Sequence, residues 1–166
     1  MVETLVRGRA AGAVGAPIRR AVAARLRRAL RALGRASSSA TLVFTDDDEI
    51  RTLNRVYRNH DRATDVLSFH LQELSGEADP AGAGINLGDI VISVETARRR
   101  AAGKRLGGEL ERLAVHGLCH LFGHDHQRPA QAEVMFALER RLRRLRRLPP
   151  SRNASRASRG RRTTSR

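Results

Sequence analysis

Three histidines set the chemistry this chain can do. His116 and His120 are four residues apart, so on a helix both rings project from one face. Gly123 follows where such a helix should stop, because glycine takes the left-handed conformation that ends a helix at little cost. The chain can then turn back and bring His126 to the same point. Three neutral imidazoles with an open fourth position are the ligand set of a catalytic zinc ion, whereas a structural zinc is closed by four ligands, often cysteines. The spacing therefore predicts one Zn2+ on His116, His120 and His126. Four of the six histidines fall between positions 116 and 126, a density that scattered surface or core histidines do not produce. His124, two residues before His126 on the turn, reads as cleft lining or surface. Cys119, the single cysteine, reads as a small buried apolar residue.

The same spacing, with glycine three residues after the second histidine, fits the long signature of zinc proteases. In that signature a glutamate follows the first histidine and acts as general base. Here the position is Gly117. The metal cage reads as present and the protease's base as missing.

The elements that must position these residues can be read from period and punctuation. Val2–Arg9 reads as a first strand, followed by a Gly/Ala-rich connector. Pro17 suits the first turn of a helix and Gly34 its end, with Ile18, Val22, Leu26, Leu30 and Leu33 as the apolar stripe. An arginine-rich amphipathic helix near the N-terminus also resembles a transit peptide, but Glu3 and the marked stop at Gly34 favour a domain helix. Ala40–Thr45 reads as a strand. Asp46–Asp48 and Glu49 look like a helix N-terminus, where carboxylates cap free amides, although such a run could instead bind a cation. Asn59–Ala63 is a polar break, Thr64–Phe69 a strand, Gln72–Asn86 a surface loop and Leu87–Ser93 a fourth strand. A basic helix over 94–105 is expected to be broken by Gly107 and Gly108, with Glu109 opening the histidine helix. Pro129 opens a last amphipathic helix that Pro149 and Pro150 end.

Composition bounds the rest. A chain of 166 residues fits one domain, and a single cysteine excludes an internal disulfide and suits a reducing compartment. No apolar run is long enough to span a bilayer. The net charge is +15, but twelve of the 32 basic residues lie in Arg140–Arg166, where there is no acidic residue. The first 139 residues carry 20 basic and 17 acidic groups and are nearly balanced. Most of the basic character is thus a terminal extension. After Pro149 and Pro150 the remainder is rich in Ser and Arg and has no apolar residue larger than alanine, which predicts a disordered tail at 149–166 behind a domain at 1–148. Such a tail can add salt-sensitive affinity for nucleic acid, or it can be a solvated appendage.

Separate stretches converge on one family. Leu53-Asn54 with Tyr57-Arg58, Thr64–Phe69, Leu87-Gly88-Asp89 with Ile90–Ser93, and His116–His126 resemble the bacterial YbeY proteins, in that family's order, with Met135 and Glu139 beyond. Ala63, His70, Cys119 and His124 depart from its usual residues, and none of these departures removes a metal ligand or the arginine. The resemblance implies an α+β fold, a small mixed four-stranded sheet packed with about five helices, with the metal site in a cleft on a helix-turn. It also implies a zinc-dependent, single-strand-specific endoribonuclease of rRNA maturation and ribosome quality control, acting in the cytoplasm on small-subunit rRNA precursors. Arg58 becomes the catalytic arginine, with His116, His120 and His126 as zinc ligands. A guanidinium beside a metal suits a phosphodiester, whose transition state gathers charge on its non-bridging oxygens. Two other readings stand beside it: a zinc peptidase, weakened by Gly117, and a non-catalytic ribosome assembly factor with a structural zinc.

Overall fold

Two short runs, Leu42-Val43-Phe44 and Ile90-Val91-Ile92, are apolar at every position, as strands buried on both faces must be. In a computed structural model, which describes residues 1–71, 84–103, 105–124 and 129–145, they form the centre of a four-stranded sheet. The strands are β1 (Val2–Val6), β2 (Ser39–Thr45), β3 (Val66–His70) and β4 (Asn86–Ser93), in the order β1-β2-β4-β3. β1, β2 and β4 run parallel, and β3 pairs antiparallel with β4 as one edge of the sheet.

The helices are α1 (Ala16–Ala32), α2 (Asp47–Arg58), α3 (Val94–Ala101), α4 (Leu106–Leu121) and α5 (Pro129–Arg143). Leu42, Phe44, Ile90 and Ile92 face the main core, which α1 and α4 complete with Val22, Leu26, Leu113 and Leu118. Val43, Leu67 and Val91 face the opposite way, onto Ile50 of α2. The α+β class and the mixed sheet are as expected. No described helix is long and apolar enough to cross a membrane.

Three boundaries differ from the sequence reading. β1 stops at Val6, because Gly8 adopts φ +53° and turns the chain into a 3-10 helix at Gly8–Gly12. That turn lets Asp46 accept the Arg9 amide at 2.9 Å. β3 starts at Val66, since the Asp65 side chain bonds the Val66 amide at 3.0 Å and starts the strand two residues late. Gly107 and Gly108 do not break a helix. They lie in the first turn of α4, and the break comes earlier, at Ala102 and Gly103, both in the left-handed region. The first amides of a helix have no intrahelical acceptor, so glycine costs less there than in the interior.

The acidic run is a helix start. Asp46 caps α2 by accepting the Glu49 amide at 3.1 Å. Asp47 accepts the Ser93 hydroxyl at 2.5 Å, the Thr96 hydroxyl at 2.7 Å and the Arg99 guanidinium at 2.7 Å. These bonds pin α2 to the β4–α3 junction. At the other end of the molecule, Arg25 of α1 bonds Glu111 of α4 at 2.9 Å and the Leu145 carbonyl at 2.7 Å. It thereby fixes the end of α5 against α1 and α4. Residues 72–83 of the expected loop and the whole 149–166 tail lie outside the described residues.

Candidate active site

A cleft of about 860 Å³ runs between the edge strand β3 and the C-terminal half of α4. His116 and His120 enter it from α4 with their Nε2 atoms 3.3 Å apart. Two nitrogens bound to one tetrahedral ion at about 2.0–2.1 Å would stand about 3.3–3.4 Å from each other. The pair is therefore spaced as two ligands of one ion. His116 Nδ1 lies 3.3 Å from the Glu139 carboxylate on α5, which leaves the His116 Nε2 lone pair directed at that point. The bond to His116 holds the Glu139 carboxyl below its usual range, against the opposing effect of burial.

α4 ends as its glycine dictates. Gly123 has φ +75°, its amide bonds the His120 carbonyl at 2.8 Å, and the His124 amide reaches the Cys119 carbonyl at 3.1 Å. This pair of bonds reverses the chain after the helix. His124 lines the cleft, as expected. His126 lies outside the described residues, and among those residues no group of three ligating side chains stands together. Cys119 is buried in the main core, where it packs as a small apolar residue and burial pushes its thiol up to about 12.

Arg58 is the last residue of α2. Asn59 takes the left-handed conformation after it, and buried Asn54 holds the following turn by donating to the Arg62 carbonyl at 2.8 Å. The Arg58 guanidinium reaches over the sheet edge to the Ser68 carbonyl at 3.3 Å and lines the cleft with the two histidines. On the inner face, the Ser68 hydroxyl donates to the Gly117 carbonyl at 3.0 Å. One residue of β3 thus ties the arginine to the helix that carries the histidines.

The family model for endoribonuclease YbeY matches residues 16–146. The chain belongs to the YbeY family. It is 48% identical over 130 residues to the endoribonuclease YbeY of Anaeromyxobacter dehalogenans, covering 77% of this chain and 64% of that one. It is 44% identical over 111 residues to that of Listeria welshimeri, covering 61% and 69%. The match spans 57% of a second Anaeromyxobacter relative, so these proteins extend beyond the shared region. The solution structure of TM1509 from Thermotoga maritima has the same fold, with a TM-score of 0.58 at 23% identity over 86% of this chain and 87% of that one.

Within this YbeY fold, Gly117 has a steric cause. A Cβ there would stand 2.6 Å from Ile90 Cγ2 and 3.0 Å from Ser68 Oγ. The position faces the sheet, not the cleft, so a protease-type glutamate has no room there.

Three contributors were not assigned a role from sequence. Glu139 and Ser68 sat in matched blocks, but nothing in their spacing tells that they touch His116 and Gly117. His70 bonds the His120 carbonyl through Nε2 at 2.7 Å, satisfying the end of α4. Its being a departure from the family pattern was the one available signal. Arg100 and Arg112 add further cations to the cleft, both on the Asp65 carboxylate, with Arg112 also bonded to Glu109 at 2.6 Å.

Proposed function

We propose that this chain is a single-strand-specific endoribonuclease that hydrolyses RNA phosphodiesters with one zinc ion on His116, His120 and His126. The observation that carries the reading is the pair of Nε2 atoms 3.3 Å apart in a cleft that the Arg58 guanidinium also lines. Bound there, zinc would supply Lewis acidity to a phosphoryl oxygen and lower the pKa of water to about 7, which removes the need for a carboxylate base. Arg58 neutralises the charge that develops on the non-bridging oxygens, anchored by Ser68 so that the guanidinium is oriented before substrate arrives. Glu139 keeps the His116 proton on Nδ1 and the ring in place. Arg100 and Arg112 draw the polyanion into the cleft.

The substrates proposed are single-stranded regions of small-subunit rRNA precursors, in rRNA maturation and ribosome quality control in the cytoplasm. The family membership and the basic cleft support this. The domain is proposed to span residues 1–148, and the family match over residues 16–146 lies within it. Peptidase chemistry is disfavoured by the packing at Gly117, which leaves no site for a base beside His116.

The test is cleavage of an unstructured RNA and of its duplex by the full chain, with and without chelator, beside Arg58→Ala. Single-strand cleavage that chelation abolishes and that Arg58→Ala lowers about 10²–10³-fold is expected. Cleavage indifferent to chelator, or within a few-fold of wild type in Arg58→Ala, overturns the assignment.

A further inference from the structure

On the sheet face opposite α4 lies a second cavity, of about 560 Å³. It shares Arg58, Ser68 and His70 with the cleft, so the two spaces meet across edge strand β3. Its floor is apolar, from Val43 and Val91. Phe69 and Asp89 are direct partners across the β3–β4 ladder and so share this face. Tyr57 closes one side, its ring 5.0 Å from Phe69 in an edge-on contact, yet it is 63% exposed. Arg7 stands at the rim.

Among the described residues, two features of this cavity are left open. Tyr57 presents an aromatic ring to solvent above an apolar floor. The Asp89 carboxylate makes no hydrogen bond or ion pair with any described residue, although most carboxylates of this fold are paired. We propose that this cavity is a nucleobase subsite, in which an unpaired base beside the cleaved phosphodiester stacks on Tyr57 and is read at its edge by Asp89. The proposal rests on the endoribonuclease reading and adds a specificity to it.

The chemistry selects the base. An ionised carboxylate only accepts, through two adjacent oxygens. Guanine presents two adjacent donors, N1–H and the exocyclic amine, on its pairing edge, and no other RNA base offers that pair. The apolar floor and ring take the base's faces, while Arg58, at the boundary of the two cavities, keeps the attached phosphate on the cleft side. A base within a duplex has this edge occupied and its faces stacked, and cannot enter. The subsite therefore gives a physical reason for single-strand selectivity, with guanine favoured.

Tyr57 is the chain's one tyrosine and there is no tryptophan, so its emission reports on this cavity alone. Unstructured oligoribonucleotides carrying G, A, C, U or an abasic sugar beside the cleaved bond are titrated into the metal-loaded full chain. Tyrosine emission and cleavage kinetics are followed together. Expected are quenching by the four intact oligomers but not the abasic one, the lowest KM with G, and a KM about tenfold higher for the abasic oligomer. Asp89→Asn should level the preference for G. Tyr57→Ala should raise KM about tenfold for every base and make the abasic lesion silent, while Tyr57→Phe restores the wild-type KM. Cleavage with no quenching and no abasic penalty overturns the subsite and leaves the nuclease assignment standing, as it would if this surface docked a protein instead. Quenching without cleavage upholds the subsite and sinks the nuclease assignment.

Discussion

Gly117→Ala should destabilise the protein, although alanine is the better helix former. In an exposed helix the exchange would gain about 1 kcal/mol. Here the added methyl would lie 2.6 Å from Ile90 Cγ2, about 1 Å inside ordinary carbon contact. Ile90 is fully buried and β-branched, so it can neither retreat nor rotate cheaply. Overpacking of this kind costs about 1–3 kcal/mol. Lifting α4 to relieve it would also break the bond from Ser68 to the Gly117 carbonyl, worth about 1 kcal/mol. The net is a loss of about 2 kcal/mol, or roughly 4–8 °C in Tm for a chain of this size. The consequences for function should split. His116 and His120 ride on α4 together and keep their spacing, so bound zinc should persist, while the distance from α4 to Arg58 changes. A displacement of about 1 Å can cost roughly 10²-fold in rate. Thermal melting in chelator, zinc content and RNA cleavage measure the three quantities. A variant as stable as wild type, or more so, would refute the close approach of α4 to the sheet as the reason for glycine.

Bound zinc should be lost in His116→Ala, His120→Ala and His126→Ala and retained in His124→Ala, with Glu139→Gln binding it about 10–100-fold more weakly; loss in His124→Ala equal to the others would break the ligand assignment. The bond from the Arg9 amide, then that from Glu49, hold the Asp46 carboxyl below its ordinary value of 3.8, so the stability it gives is full above that value and is lost as pH falls through the depressed one. Asp46→Asn keeps a capping oxygen and should flatten the acid limb of the stability–pH curve while costing under about 1 kcal/mol at neutral pH; an unchanged acid limb counts against this origin. Deleting residues 149–166 removes six arginines and should weaken RNA binding and reduce its salt slope by about 0.7 for each phosphate no longer neutralised, with cleavage at saturating RNA near wild type. An unchanged salt slope would limit that segment to solubility.

What the sequence determines by itself here is whatever depends on neighbours a few residues away. The i,i+4 spacing puts His116 and His120 on one face whatever surrounds the helix, and Gly123 ends that helix through bonds reaching back only to Cys119 and His120. Asp46 caps α2 through Glu49, three residues on, and Arg58 falls at the end of the same helix. Local chemistry misjudged Gly107 and Gly108, because a breaker is tolerated in a first turn once Ala102 and Gly103 have already stopped the preceding helix. Tertiary structure alone decided the rest. Ser68 meets Gly117 across 49 positions, His70 meets His120 across 50, and Glu139 meets His116 across 23. The first two exist because placing β3 at the sheet edge beside β4 lays it against α4, and the third because α5 packs on α4, arrangements that no local periodicity encodes. Gly117 is the plainest case. In the sequence it is a missing base, and in the fold it is the space that lets the helix of histidines approach Ser68 and, through it, Arg58.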